Sequence, residues 1–225
     1  MSEICYICGK AIEENLTSDH VPPQQIFAQS IRREYNLSQL ITLTTHRECN
    51  ENYRLDEDYF AWSLAPIAMG SSTADAVINH HAKEFRAGKN KGLGRKILEQ
   101  FVDRPGGLYL PPNTVFMRVE GTRIQRIAWK IVRGLYWVEN KKFLPDDTKY
   151  YLELKEPMSH WKPVTAEIWE ILRNQPSKGM YGKIFDYKYL HAKVENLQLH
   201  LWGMLFWDRI IIFVSHHDPS DKKDC

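Results

Sequence analysis

Two pairs of metal-ligand residues stand near the start of the chain. Cys5-x-x-Cys8 comes first, and His46-x-x-Cys49 follows further along. Tetrahedral zinc takes thiolate and imidazole ligands, and these ligands commonly occur in closely spaced pairs. The four residues therefore predict a closed structural zinc site, which would hold the segment between the two pairs in place.

Two other interpretations of these cysteines stay open. Cys5-x-x-Cys8 could be a thioredoxin-like redox pair, although such a pair normally follows a strand and opens a long helix, whereas here Gly9 follows it. Alternatively, the cysteines are buried thiols and His46 is a surface residue. A disulfide framework is disfavoured, because three of the four cysteines stand at ligand spacing and the other is Cys225.

Residues between and beside the ligand pairs suit hydrolysis of a phosphodiester. Asp19-His20 lies between the pairs, and Asn50 directly follows the last ligand. Oxygen ligands from Asp19 and Asn50 suit Mg²⁺ or Mn²⁺, and a neutral imidazole at His20 could take a proton from the attacking water. Neighbouring side chains on a strand point to opposite faces, so Asp19 could face the ion while His20 faces the water.

The order of these motifs resembles the zinc-containing HNH endonucleases of the His-Me finger (ββα-metal) superfamily. The resemblance rests on the first cysteine pair, the Asp-His pair with a following proline, and the second ligand pair that ends directly in Asn. The acidic-aromatic segment Leu55 to Phe60 also resembles a bacterial subgroup of this family. Together these features cover about residues 4–60 of the chain.

The resemblance implies a role for each matched residue. His20 would be the general base, and Asp19 with Asn50 would hold one catalytic divalent ion, Mg²⁺ or Mn²⁺. The structural Zn²⁺ would be bound by Cys5, Cys8, His46 and Cys49.

The chain departs from the family pattern at the residue that orients the base. HNH enzymes usually carry a further Asn shortly before the second ligand pair, whereas Ile41 stands at about that place here. Asn36 is the only Asn between His20 and His46. A backbone carbonyl could orient His20 instead.

Other polar clusters have plainer explanations. The acidic run Asp56 to Asp58 could add a metal contact, but a role in starting a helix, where carboxylates oppose the helix dipole, is favoured. The pair His80-His81 is predicted to lie on a helix surface. The pair His216-His217 is predicted to lie in a polar tail that frays. A metal site is disfavoured at both pairs, because neither has a cysteine or carboxylate at ligand spacing.

Basic residues are clustered although the formal net charge is only +2. We expect a flexible cationic loop from Arg86 to Gly94, and a helix from about Arg123 to Val138 with basic residues opposite its apolar face. Nucleic-acid affinity comes mainly from phosphate contacts by Lys and Arg, and a solvated surface is the alternative. The candidate contacts are Lys89, Lys91, Arg95, Lys96, Arg123, Arg126, Lys130 and Arg133. The aromatic side chains of Trp202, Phe206 and Trp207 could stack on bases but are favoured as core.

The predicted fold class is α+β in three parts. A zinc-stabilised ββα-metal module is expected at 1–60, a helical connector with the basic loop at 61–104, and a mixed domain of helices and antiparallel strands at 105–225. Further helices are expected at Leu93 to Val102 and Thr165 to Asn174. Strands are expected at Ile4 to Tyr6, Leu40 to Leu43, Thr114 to Val119, Lys149 to Lys155, Lys183 to Tyr189, Leu197 to Phe206 and Arg209 to Ser215.

The sequence predicts a metal-dependent endonuclease that hydrolyses DNA phosphodiester bonds, with RNA as an open alternative substrate. The alternative function is a catalytically silent zinc-ribbon module that binds nucleic acid or protein. No apolar run reaches the roughly 18 residues of a membrane span, and the start lacks a signal-peptide pattern, so a cytoplasmic protein with no membrane partner is expected. The oligomeric state is open and includes a homodimer.

Overall fold

The computed structural model describes residues 3–37, 40–102, 104–107, 109–111, 116–157, 159–179, 181–194 and 197–218, which form a mixed α+β structure. The helices are α1 Gln29–Glu34, α2 Arg47–Glu51, α3 Arg54–Leu64, α4 Ser72–Arg86, α5 Lys91–Glu99, α6 Gly121–Asn140 and α7 Pro163–Leu172. The strands are β1 Leu16–His20, β2 Thr42–His46, β3 Phe101–Val102, β4 Phe116–Met117, β5 Tyr150–Lys155, β6 Phe185–Val194, β7 Leu197–Phe206 and β8 Ile210–His217.

Strands β1 and β2 form an antiparallel pair, in which β1 ends with Asp19-His20 and β2 ends with His46. His20 lies opposite Thr42, and Leu16 lies opposite His46. Helix α2 begins directly after β2. The strand expected near residues 40–43 therefore lies slightly later in the chain, and the strand expected at residues 4–6 is reduced to a single bridge between Ile4 and Ala11.

Helix α6 is the central helix of the fold. It packs against α3, and apolar residues such as Ile127 and Leu135 are fully buried. At Gly134 the helix comes so close to the chain after β1 that an added Cβ would lie 2.6 Å from a methyl carbon of Val21. Glycine at this position permits the close approach of α6 to the amino-terminal strands.

The expected flexible loop at residues 86–94 is shorter than predicted, because α5 begins at Lys91. Gly94 is buried in this helix, and an added Cβ would lie 2.3 Å from the ring of Phe85. Gly94, one of the glycines that suggested a flexible loop, thus lets α5 pack closely against Phe85. The strand expected at residues 114–119 is the short β4, and residues 114 and 115 lie outside the described part of the chain.

The second half of the chain contributes a four-stranded antiparallel sheet in the order β5-β8-β7-β6. The predicted hairpin at Trp207-Asp208 is confirmed, since it joins β7 to β8 and both residues have positive φ, 50° and 60°. Trp207 tolerates this conformation because its indole is fully buried and donates a hydrogen bond to Ile26 O at 3.1 Å. Trp202, Phe206 and Trp207 are all core residues, as favoured above.

Two expectations about histidine are wrong. His216 does not lie in a frayed tail, because β8 extends to His217 and the His216 ring is buried beside Trp202, which donates to its Nε2 at 3.2 Å. His80 is exposed on α4 as expected, but His81 is buried. The His81 ring stacks on Trp62 with 4.5 Å between ring centroids.

Buried apolar residues from all three predicted parts of the chain belong to one contiguous cluster. It joins Tyr6 and Val21 to Leu64, and these to Ile131 and Phe206. The three-part division of the chain stays a prediction. No helix in the described part of the chain is both long and apolar enough to cross a lipid bilayer.

Candidate functional site

The four predicted zinc ligands converge on one point. One ligand atom from each of Cys5, Cys8, His46 and Cys49 lies within 4.8 Å of the others. His46 Nδ1 lies 3.4 Å from Cys8 Sγ and 3.9 Å from Cys49 Sγ. Tetrahedral zinc brings sulfur and nitrogen ligands to about 3.6 Å from one another. This cluster could therefore hold a metal ion such as zinc.

Surrounding contacts orient the cluster. His46 Nε2 lies 3.2 Å from Ala11 O, so a proton on Nε2 would be donated there and Nδ1 would face the sulfur atoms. Cys5 Sγ is hydrogen-bonded to Thr45 Oγ1 at 3.0 Å, and Cys5 N donates to Lys10 O at 2.9 Å. The turn at residues 5–10 and the end of β2 thus hold the ligands from two sides.

Charge favours a cation in the cluster. Burial raises the pKa of Cys5, but hydrogen bonds from Thr45 and from backbone groups outweigh it and lower the pKa to about 6. Burial, the charge of Cys5 and contact with Cys8 raise the pKa of Cys49 to about 12. Thiolates this close repel one another, so a bound cation would be needed for all of them to be deprotonated at neutral pH.

Beside this cluster, a polar cavity of about 220 Å³ is lined by the predicted general base and by the two residues predicted to bind the divalent ion. Asp19 and His20 reach it from the end of β1, and Asn50 reaches it from α2. Because β1 and β2 are paired, the Asp-His motif and the helix after β2 lie side by side. The cavity is lined by Asp19, His20, Gln24, Gln25, Asn50, Glu51, Arg54 and Glu57.

The imidazole of His20 is neutral at physiological pH. Burial lowers its pKa, and Arg32 and Lys130 lower it further, while Asp19 opposes them. A neutral imidazole can accept a proton, as a general base must. Within the described residues, no hydrogen bond orients the His20 ring. The carbonyl of Ile41, the residue at the place of the usual Asn, instead accepts from Val21 N at 3.0 Å.

Asp19 is buried and belongs to a network of charged side chains. Its carboxylate accepts a hydrogen bond from the hydroxyl of Tyr6 and binds the ammonium of Lys130, whose Nζ lies 2.9 Å from Oδ1 and 2.7 Å from Oδ2. Lys130 also binds Glu57, and Gln25 Nε2 donates to Glu57 Oε2 at 3.2 Å. Burial and the negative charge of Asp19 raise the pKa of Tyr6 well above its usual value, so the Tyr6 hydroxyl keeps its proton.

Asn50 lies at the edge of the same cavity. Its Nδ2 donates to Ser18 O at 3.4 Å, which leaves the side-chain carbonyl as the group that Asn50 could offer to an ion. The amide therefore holds α2 against β1 through its nitrogen. Asp19 and Asn50 line one cavity as the sequence predicted, although no hydrogen bond joins them within the described residues.

The predicted cationic face of α6 is wrong for Lys130 and Arg133, which are each only 2% exposed. Arg133 donates to Leu144 O at 2.9 Å and also to Ile7 O. Lys130 is buried among the carboxylates described above. Every residue of the helix from Ile127 to Tyr136 is buried, so these two charged side chains are used inside the molecule.

The other basic residues of α6 pair with an acidic residue of α3. Arg123 Nε lies 2.5 Å from Asp56 Oδ1, and Arg126 binds the other oxygen of Asp56. Asp56 therefore anchors α6 to α3 and does not reach the cavity. The other predicted nucleic-acid contacts are exposed: Lys89 before α5, and Lys91, Arg95 and Lys96 on α5. Of these, Lys96 pairs with Glu120 at 2.6 Å.

The sequence analysis missed Tyr6 and Lys130 as partners of Asp19, and Glu57 as the second partner of Lys130. Tyr6 stands between two predicted metal ligands and resembles any core aromatic residue. Lys130 is separated from Asp19 by 111 positions, so no local spacing connects them. A weak signal was present in α6, where Lys130 is flanked by Trp129 and Ile131 in an otherwise apolar stretch.

Comparison of the chain with protein-family models, with curated proteins and with solved structures found no match.

Proposed function

We propose that this protein is an endonuclease that hydrolyses phosphodiester bonds of DNA at the cavity formed by β1 and α2. One observation carries the proposal: a paired β1-β2 unit and the helix after it bring Asp19, His20 and Asn50 to one polar cavity beside a Cys/His cluster. This is the arrangement that the HNH resemblance implies. The Cys/His cluster acts as a structural zinc site and takes no part in the reaction.

His20 is the general base in this proposal. Its lowered pKa keeps the imidazole neutral, so it can take the proton from a water that attacks the phosphorus. The strand pairing at Thr42 fixes the backbone of His20. Since no residue in the described part of the chain orients the ring by a hydrogen bond, substrate or water completes its alignment.

The oxygen donors of the cavity fit a divalent ion. A carboxylate accepts about four hydrogen bonds or metal contacts, and the contacts from Tyr6 and Lys130 use three of the positions on Asp19. Asp19 and Asn50 would hold Mg²⁺ or Mn²⁺. When bound, such an ion stabilises negative charge on the phosphoryl group and the leaving oxygen.

One observation favours the alternative, a catalytically silent module that binds nucleic acid or protein. Both oxygens of Asp19 already contact the ammonium of Lys130, so a cation is present before any metal ion binds. In this alternative the ion pair replaces the catalytic ion and the zinc site only supports the fold.

Replacement of His20 by alanine separates the two functions. We expect the wild-type protein to nick plasmid DNA in Mg²⁺ or Mn²⁺, and His20→Ala to lose about a hundredfold or more of this rate. Zinc content, measured by elemental analysis, should stay near one equivalent per chain in both proteins. His160→Ala is the matched control, because His160 is exposed and lies outside the cavity.

Two results would argue for the silent module. One is a wild-type protein that binds DNA but cleaves neither plasmid nor single-stranded DNA with either metal. The other is nicking that survives His20→Ala, since it would come from a different site or from a contaminant.

A further inference from the structure

The ammonium of Lys130 is fully used inside the protein. It contacts both oxygens of Asp19, at 2.9 and 2.7 Å, and one oxygen of Glu57. The ammonium donates hydrogen bonds to Asp19 Oδ1 and to Glu57 Oε1, and Asp19 Oδ2 lies within ion-pair distance of it. The ring of Tyr53 lies below it, with 5.2 Å from Nζ to the ring centroid.

Helix α6 fixes Lys130 at this place. On one side of it, Arg126 binds Asp56, and on the other, Arg133 donates to the backbone of Ile7 and Leu144. These contacts lie about one turn before and one turn after Lys130. The lysine cannot swing away as a surface lysine would, so Asp19 meets a cation whose position the fold determines.

The charges of the three buried groups do not cancel. Burial raises the pKa of Glu57, and the neighbouring Lys130 opposes this rise. When both carboxylates are ionised, Asp19 and Glu57 carry two negative charges against the one positive charge of Lys130, which leaves one negative charge at the wall of the cavity. A divalent ion at Asp19 would be attracted by the carboxylates and repelled by the ammonium. The two cations therefore compete for the same carboxylate oxygens.

We propose that Lys130 is an internal counter-ion of the catalytic cavity, which positions Asp19 in the metal-free protein and sets how strongly the cavity binds a divalent ion. This inference rests on the proposed function, since it assumes that the cavity takes an ion. Lys130 is a positioning residue, because it acts on Asp19 and does not touch the scissile bond.

Mn²⁺ affinity tests this role without any cleavage assay. Removal of the ammonium by Lys130→Met takes away the competing charge, so we expect zinc-loaded protein to bind Mn²⁺ about tenfold more tightly or better. The affinity is measured by calorimetric titration with MnCl₂. Mn²⁺ should also raise the melting temperature of Lys130→Met more than that of the wild type, because the ion replaces the lost partner of Asp19.

Two control variants locate the effect. Tyr6→Phe removes the other hydrogen bond to Asp19 but no charge, so its Mn²⁺ affinity should remain within about threefold of wild type. The double variant Asp19→Asn with Lys130→Met should lose the gain in affinity, which would place the ion at Asp19. Lys130→Gln, whose amide can still donate to a carboxylate, serves if Lys130→Met does not fold.

Each outcome decides the question. Tighter Mn²⁺ binding by Lys130→Met or Lys130→Gln supports the proposal, also when wild-type protein cleaves no DNA, in which case only the endonuclease proposal fails. Recovery of a misfolded variant by Mn²⁺ likewise supports it. Unchanged or weaker binding overturns it, as does failure of both variants to fold in excess Mn²⁺, because Lys130 would then be purely structural.

Discussion

Single buried polar residues in this protein differ sharply in how their polar atoms are satisfied. The ammonium of Lys130 donates to two carboxylates, those of Asp19 and Glu57. By contrast, both ring nitrogens of His81 are buried without a hydrogen-bond partner within the described residues. A buried polar atom without a partner lowers stability by about 1–3 kcal/mol. His81 is thus a position where a substitution should stabilise the fold.

We expect His81→Phe to raise the free energy of unfolding by about 1 kcal/mol at pH 7, because phenylalanine keeps the stacking on Trp62 without the unpaired nitrogens. Burial, with a contribution from His80, lowers the pKa of His81 to about 3. Between pH 6.5 and 3 the unfolded chain therefore binds a proton that the folded wild type does not. The advantage of the variant should grow by roughly 2 kcal/mol from pH 7 to pH 5.

Urea unfolding at both pH values measures this difference. His80→Phe is the control, because His80 is exposed and its replacement should change stability by less than about 0.5 kcal/mol. If His81→Phe proved less stable than wild type at pH 5, burial of a neutral His81 would be incorrect.

Residue types and the family resemblance predicted Asp19 and Asn50 as ligands of one ion beside His20, and all three residues line one cavity. Their spacing from the ligand pairs carried this information, because the pairs bring distant parts of the chain together. The partners of Asp19 could not be predicted, since a lysine in an amphipathic helix normally points to solvent. Only the packing of α6 on both faces reverses that expectation for Lys130.

At the scale of elements, the sequence predicted the helices and strands whose own residues show a clear hydrophobic pattern. The alternating and apolar residues of β7 give its bounds correctly, and the apolar face of α6 gives most of that helix. The end of β8 was missed because His216 is polar, and its place in the sheet depends on Trp129 and Trp202 from other elements.

We expect the β1-β2 pair to depend on the Cys/His cluster, because the strands are short and the predicted ligands join their ends to the turn at residues 5–10. We expect Cys8→Ser to lose bound zinc, and amide hydrogen exchange in β1 and β2 to become roughly tenfold faster or more. Exchange in β6, β7 and β8 should change little. Hydrogen exchange with mass spectrometry measures both regions in one experiment.

Cys225→Ser is the matched control, since it removes a thiol outside the predicted ligand set and outside the described residues. Retention of one zinc per chain by Cys8→Ser, with unchanged protection of β1, would show that this cluster is not the structural zinc site.

On the scale of the whole molecule, the buried residues of the amino-terminal motifs belong to the same apolar cluster as residues of α3, α6 and β7. Val21 packs against Gly134, and Ile7 O accepts a hydrogen bond from Arg133. Such contacts between distant parts of the chain have no signature in local periodicity. The sequence resemblance ends near residue 60 and thus suggested a smaller unit than the one that shares this core.

A fragment of residues 1–64 tests this dependence. Without α6, the carboxylates of Asp19 and Glu57 lose Lys130, and the apolar side chains around Val21 lose their cover. We expect the fragment to remain largely unfolded even with one equivalent of zinc, as judged by circular dichroism and by poor dispersion of its amide NMR signals. A well-dispersed spectrum of the zinc-loaded fragment would instead establish residues 1–64 as an independent domain.

The hydrogen bond from Trp207 to Ile26 has a consequence for the timing of synthesis. Gln24 and Gln25 line the cavity of Asp19, His20 and Asn50 directly before Ile26, yet the hairpin that holds this segment is translated 181 residues later. At ribosomal rates of about 5–20 residues per second, this interval is roughly 10 to 40 s. A nascent chain would therefore carry every proposed catalytic side chain while its cavity is still incomplete, which would delay cleavage activity until most of the chain has left the ribosome.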